Sequence, residues 1–308
     1  KKTYTKSSNN AIEDYKWEEV GPYVELKRAY DERRNGNGRV DAIWVDPNDE
    51  KRIYVGTRGG GLWTTTNEGT TWSPKTDDLG ITGVNSIAVN PNNVNEIYIA
   101  TAIAGKYSIG VFKSTNAGVA WTDITGTLPV GSASISSICA DPSDENNVWV
   151  TFSGYSSGNK VFQSTNQGTS WVNASGILPN LPVNDIIYQE GTAGLLYVGT
   201  DAGVYFFDPN TSAWAVYGTD LPNVIVTDLE IQYNQGMLRI ATFGRGVWEI
   251  ATEPTAPPTA SFTSNTVNIC AGDDILYTNT SIGGDTYLWT FEGSLNVYNW
   301  SEIINSLS

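Results

Sequence analysis

The sequence predicts an all-β propeller of five four-stranded blades, and three observations carry that reading. The segment TTNEGTTW (Thr65–Trp72) returns as STNAGVAW (Ser114–Trp121) and as STNQGTSW (Ser164–Trp171), at intervals of 49 and 50 residues. Each copy follows runs of β-branched and aromatic residues, such as VDAIWVDP and IYVGT before the first and ISSICADP and VWVTF before the third. Such runs, separated by turn residues, read as strands. Two fainter copies follow, VNDIIYQEGTAGLLYVGTDAGVY and VTDLEIQYNQGMLRIATFGRGVW.

Within a copy the first run is the innermost strand. Asp46-Pro47, Asn90-Pro91 and Asp141-Pro142 close the turn into the second run. The second run is marked by Tyr54, Tyr98, Trp149 and Tyr197, and by Arg239 in the last copy. The repeated motif forms the hairpin between the third and fourth strands. There Asn67, Asn116 and Asn166 close the turn through their amides, and Gly69, Gly118 and Gly168 accept positive φ. Trp72, Trp121 and Trp171 then fold back to pack between strands.

Asp41, Asn85, Ser136, Asn184 and Thr227 each follow a shared apolar residue of the inner strand, so they are expected to ring a central channel and hold ordered water, favoured over an ion. The fifth copy stops at Glu249-Ile250 without an outer strand. YKWEEVGP (Tyr15–Pro22) matches an outer strand, with Trp17 where the motif tryptophan belongs, and is expected to complete the last blade.

The propeller is expected over residues 15–252. A Pro/Thr linker, residues 253–260, follows, and residues 261–308 form a second, incomplete segment with a tail. The chain carries 18 basic and 33 acidic residues, a net charge of −15. This acidity speaks against nucleic acid as partner. No apolar run is long enough to span a bilayer, so no membrane insertion is expected. The chain opens KKTYTKSSNN without an apolar leader core, so any secretion signal is expected to have been removed or omitted. Cys139 reads as a small buried hydrophobe, and no disulfide to Cys270 is expected.

There is no histidine, which removes imidazole bases, serine triads and histidine-ligated metals, and no phosphate-binding loop. Neither metal nor cofactor is expected. Loops joining the second and third strands, and those leading from a fourth strand into the next inner strand, lie on one face of a propeller, opposite the repeated hairpins. That face gathers Tyr30, Arg58, Tyr107, Tyr155, Phe243 and Arg245 as candidate ligand-binding residues, with Asp201 the weak catalytic candidate. Exposed rings beside polar groups suit a glycan or a protein segment.

The three motifs resemble the Asp-box, or BNR repeat, S/T-x-D-x-G-x-T-W, with Asn in place of Asp each time. That repeat occurs in sialidases, sortilin-type receptors and xyloglucan-cleaving hydrolases. GRVDAIWVDP, IYVGTRGGGLW and ATFGRGVWEI are similar to secreted sortilin-like propellers of Bacteroidetes. The resemblance implies a secreted or surface-displayed, monomeric recognition module binding an extracellular glycan or protein. The alternative is a glycoside hydrolase. A sialidase-like site needs three arginines, and only Arg58 and Arg245 qualify; a xyloglucanase-like Asp is replaced by Arg58 in TRGGG, although GTDAGVY retains Asp201. The stretch from Pro257 to Ser294 is similar to the opening of a PKD domain.

Overall fold

The computed structural model describes residues 39–79, 83–102, 108–131, 133–254, 261–264 and 277–280. The chain divides into two compact units, Lys1–Glu253 and Pro254–Ser308. The first unit is a five-bladed β-propeller of antiparallel sheets.

Blade 1 comprises β1 (Val40–Val45), β2 (Ile53–Thr57), β3 (Gly61–Thr65) and β4 (Ser73–Pro74). Blade 2 comprises β5 (Val84–Asn90), β6 (Asn93–Ala102), β7 (Ser108–Ser114) and β8 (Thr122–Asp123). Blade 3 is built from β9 (Ser134–Ala140), β10 (Val148–Ser153), β11 (Val161–Ser164) and β12 (Val172–Asn173). Blade 4 has β13 (Val183–Tyr188), β14 (Leu196–Thr200), β15 (Gly203–Asp208) and β16 (Ala213–Val216). Blade 5 shows three strands among the described residues: β17 (Val226–Gln232), β18 (Met237–Thr242) and β19 (Gly246–Ala251). Tyr15–Pro22 and Trp17 lie outside the described residues. In the second unit β20 (Phe262–Ser264) pairs with β21 (Tyr277–Asn279). Cys270 is outside the described residues, and Cys139 is a free thiol that burial keeps protonated.

The three hairpins share the same bonds to backbone amides. Gly69 N, Gly118 N and Gly168 N donate to the hydroxyls of Thr65, Ser114 and Ser164 at 3.0, 2.8 and 2.7 Å. The Asn67, Asn116 and Asn166 carbonyls accept from the amides of Thr71, Ala120 and Ser170 at 2.9, 2.8 and 2.9 Å. Two consecutive residues are left-handed in each turn, Glu68-Gly69 (φ 56 and 81), Ala117-Gly118 (56 and 77) and Gln167-Gly168 (58 and 85). Only the second of each pair is relieved by glycine.

Trp121 and Trp171 act between blades rather than between strands of one blade. Trp121 Nε1 donates to Lys75 O of blade 1 at 2.8 Å, and Trp171 Nε1 to Ile124 O of blade 2 at 2.7 Å. Trp214 does the same to Ala174 O of blade 3 at 2.8 Å, although blade 4 lacks the motif. Its hairpin is closed instead by Asp208, which accepts from Asn210 N at 2.8 Å.

The inner strands supply a second seam. Each has a β-bulge where its polar residue falls: the register skips Asp41, Asn85, Asn184 and Thr227, and in β9 one extra residue sits between Ile135 and Ile138. A bulge twists the strand and re-aims the side chain. Asn85 and Asn184 then reach the next blade, donating to Ile135 O at 2.7 Å and Val226 O at 3.0 Å. The following residues add a parallel set, with Ile138 N bonded to Ser86 Oγ at 3.1 Å and Leu229 N to Asp185 Oδ2 at 2.8 Å. The polar ring expected to hold water thus spends part of its bonding on stitching blades together.

The two ends of the array differ. Where Tyr54, Tyr98, Trp149 and Tyr197 are buried, blade 5 has Arg239, which bonds Glu249 at 3.1 Å and Gln235 at 3.2 Å. On blade 1, Ile43 is 66% and Val45 46% exposed.

Two outcomes follow for stability. Trp171→Ala is expected to lower unfolding free energy by about 3–5 kcal/mol, as for other buried aromatics. Trp171→Phe keeps a six-membered ring but loses the pyrrole and its bond to Ile124 O, so it should cost less than Trp171→Ala but more than the roughly 1 kcal/mol of one hydrogen bond. Urea unfolding of both variants checks the split. Asp185 provides the second. Burial pushes its carboxyl up to about 7 against a bond from Ser137, and the charge of Asp228 adds to the rise. The unfolded chain releases this proton near 3.8 while the folded chain keeps it, so stability falls as pH rises between these values. Asp185→Asn can keep both neighbouring bonds, and denaturant midpoints measured across that range should flatten in this variant.

Candidate functional site

Strand direction puts the loops after β2, β6, β10, β14 and β18 on one face, with the bulged ends of the inner strands as its inner lip. The turns at that face are held by threonines ending the second strands. Thr57, Thr101, Thr200 and Thr242 donate to Gly61 O, Gly110 O, Gly203 O and Gly246 O at 3.2, 3.0, 2.8 and 2.6 Å. In blades 1 and 4 the residue after the threonine bonds the bulge residue of its own blade.

In blade 1 this pairing joins Arg58 to Asp41, Nε to Oδ2 at 2.7 Å, and Arg39 bonds the other carboxylate oxygen. Burial of Asp41 opposes its charge, but the bonds and charges of Arg39 and Arg58 outweigh it and hold the carboxyl below the usual range. Asp41 is thus a carboxylate paired to two arginines, and the lowering of its basicity suits it poorly to general-base work. The guanidinium of Arg58 remains half-exposed.

In blade 4 the same positions hold Asn184 and Asp201. Asn184 Nδ2 donates both to Val226 O of blade 5 and to Asp201 Oδ1, each at 3.0 Å. The other carboxylate oxygen of Asp201 accepts from the Tyr155 hydroxyl of blade 3 at 3.4 Å. Tyr155 is 68% exposed, so its ring lies open to solvent while its hydroxyl is oriented by the acid. Blades 3 and 4 therefore converge on one carboxylate, and the amide that bonds it also reaches blade 5.

Of the residues singled out in the sequence, the structure brings Tyr155 and Asp201 together. Arg58 is tied to Asp41 in blade 1. Phe243 follows Thr242 in blade 5 with its ring 76% exposed, and its amide bonds Ile225 O at 2.9 Å. Arg245 is exposed, and its carbonyl accepts from Trp248 Nε1 at 3.0 Å. Tyr30 and Tyr107 lie outside the described residues. Asn67, Asn116 and Asn166 sit at the opposite end of the blades, in the hairpins. Among the described residues no group of three His, Cys, Asp or Glu side chains is placed to hold a metal ion. Arg39 and the bridging role of Asn184 escape the sequence reading. The alignment of Asn184 with Asp41 is the one signal that pairs each with the residue after its own blade's threonine.

No family model matches the chain. Over 113 residues it is 30% identical to the xyloglucanase Xgh74A of Acetivibrio thermocellus, an alignment covering 30% of this chain and 13% of the enzyme. A xyloglucanase of Hypocrea jecorina is 28% identical over 145 residues, covering 39% of this chain and 16% of the enzyme. The chain spans only a small part of these curated relatives. Among solved structures, an ancestral GH74 enzyme matches with a TM-score of 0.50 at 22% identity, over 68% of this chain and 30% of the other. The extracellular domain of BT4673 from B. thetaiotaomicron matches with a TM-score of 0.52 at 19% identity, over 75% and 28% of the respective chains. At these identities the structures speak to fold alone. The chain is a β-propeller that resembles the propellers of GH74 xyloglucanases.

Proposed function

We propose that the chain is an extracellular, non-catalytic recognition module whose loop face binds a glycan or a protein segment. The observation that carries this reading is the Tyr155–Asp201–Asn184 cluster, an open aromatic ring beside a carboxylate held by bonds from two side chains. A sugar face stacks on such a ring while its hydroxyls donate to the acid. Phe243 supplies a second exposed ring on the same face. The turn chemistry supports reading the three hairpins as Asp-boxes with Asn in the Asp position.

The alternative reading is glycan hydrolysis, favoured by the likeness to xyloglucanases and by Asp201. Against it stands the state of Asp41, whose two oxygens are both taken by arginines. A pair of free acids roughly 5–9 Å apart is the ordinary requirement of that chemistry.

Calorimetric titration of the full chain with xyloglucan oligosaccharides tests both readings. Tyr155→Ala is expected to weaken binding by about tenfold, the worth of one stacked ring. Asn116→Ala is expected to lower the melting temperature and leave affinity unchanged. No reducing sugar should be released from xyloglucan or other β-glucans. Turnover that disappears in Asp201→Asn would replace the binding module with a hydrolase.

A further inference from the structure

Blade 1 uses its bulge differently from blades 2 and 4. In those blades Asn85 and Asn184 each donate an amide to the inner strand of the next blade, at Ile135 O and Val226 O. The corresponding acceptor beside blade 1 is Val84 O, which lies over Gly56 as Val226 O lies over Gly199. Asp41 cannot serve it, because an ionised carboxylate accepts hydrogen bonds and donates none. Among the described residues the seam between blades 1 and 2 thus lacks the bond that its counterparts make. A local rule broken in one copy of a repeat marks a residue that serves something else.

What Asp41 holds is a pair of arginines. Arg58 N donates to Arg39 O at 3.0 Å, so the two residues face one another where β1 begins and β2 ends. Each turns its Nε onto a different oxygen of the same carboxylate. The Asp41 side chain is 8% exposed, whereas those of Arg39 and Arg58 are 67% and 50% exposed. The anchor is inside and the forks are outside. Since both bonds to Asp41 run through Nε, the Nη groups of the two guanidiniums bond nothing among the described residues. One arginine would neutralise Asp41, and the second leaves a positive charge on the loop face. Stability does not account for that second arginine, because exposed ion pairs contribute little to folding. The same backbone bond joins Pro182 to Asp201 in blade 4 and Ile225 to Phe243 in blade 5, and neither blade repeats the arginine pair.

We infer that Arg39 and Arg58 clamp one carboxylate of the glycan bound on this face, a uronic acid residue, and that Asp41 is the positioning residue beneath them. The inference rests on the reading of the loop face as a recognition surface, and it names the class of sugar recognised. A guanidinium presents parallel N–H groups that match the two oxygens of a carboxylate. Anchoring each Nε on Asp41 aims those groups before any ligand arrives, which lowers the cost of ordering them on binding. The charge of the whole chain narrows the class further. At a net charge of −15 the molecule repels a polyanion, so the ligand carries its acid singly on an otherwise neutral sugar chain. A run of glutamates or aspartates in a protein segment is disfavoured on the same ground.

Calorimetric titration of the full chain tests the clamp with a xylo-oligosaccharide bearing one glucuronic acid and with the same oligosaccharide after reduction of its carboxyl to the alcohol. The acid form should bind about tenfold more tightly at low ionic strength, and the preference should shrink in high salt. Arg39→Ala, Arg58→Ala and Arg58→Lys should remove the preference and leave affinity for the reduced form unchanged. Asp41→Asn separates aim from scaffold. It takes away the anchor but offers Val84 O the amide that Asn184 gives Val226 O, so the melting midpoint should hold or rise while the preference falls. A midpoint that drops with the preference intact would make Asp41 purely structural and overturn the assignment. Equal affinity for the two forms, each still weakened by Tyr155→Ala, would overturn the clamp and leave the recognition surface standing. Binding of neither form would overturn both. Tighter binding of a hexaglutamate peptide, or of the oligosaccharide with a sulfate ester in place of its carboxyl, would overturn the uronate and give the arginines to that ligand instead.

Discussion

The indole nitrogen bonded to a carbonyl of the blade before it is the contact on which this propeller depends. A sheet of four short strands buries too little to stand alone, and its outer strands here are two to four residues long. The tryptophan supplies area and direction together. Its ring fills the wedge where neighbouring blades diverge, and its single donor admits only one insertion depth. Because the acceptor is a backbone atom just past an outer strand, the bond also fixes where that strand ends. Each blade is thus positioned by its successor, and an error in one hairpin propagates to the blade behind it.

The inner edge works by the opposite logic. Towards the axis the strands crowd, and volume is scarce, so the seam uses small polar groups instead of rings. The bulges at Asn85 and Asn184 turn an amide sideways into the next blade. They leave the strand end kinked at the loop face, which is where Asp201 is held. Site and scaffold therefore share atoms: the amide that bonds Asp201 also bonds Val226 O. A ligand that pulls on the carboxylate pulls on the seam between blades 4 and 5.

Much of the architecture was legible because it repeats. The strands around Tyr54, Tyr98, Trp149 and Tyr197 and the Asn-centred hairpins lie where the pattern puts them, since a turn formed by residues four apart is written locally. Trp214 was missed because blade 4 replaces the motif by DPNTSAW, in which Asp208 closes a different turn before the same indole. The bulges were invisible as such; a polar residue in an apolar run shows up in the sequence, but an extra residue against a partner strand does not. The Tyr155–Asp201 contact joins residues 46 apart on separate blades, and only the stagger of the loops places them together. The tie between Arg58 and Asp41 likewise depends on the bulge, and it makes Arg58 the partner of an acid while half of its side chain stays exposed on the loop face.

The asparagines of the hairpins have a bearing on where such a molecule can operate. An aspartate turn accepts backbone amides best when ionised, and it weakens as acid protonates it. Asn67, Asn116 and Asn166 accept the same amides with a neutral carbonyl, and in two hairpins the amide nitrogen also donates to the hydroxyl of Thr71 or Ser170. Their bonds have no titration to lose. With a net charge of −15, three further carboxylates would also have added to the self-repulsion of the fold. The three motif hairpins are therefore indifferent to acidity, whereas the Trp214 hairpin, closed by the carboxylate of Asp208, is the one that acid can loosen.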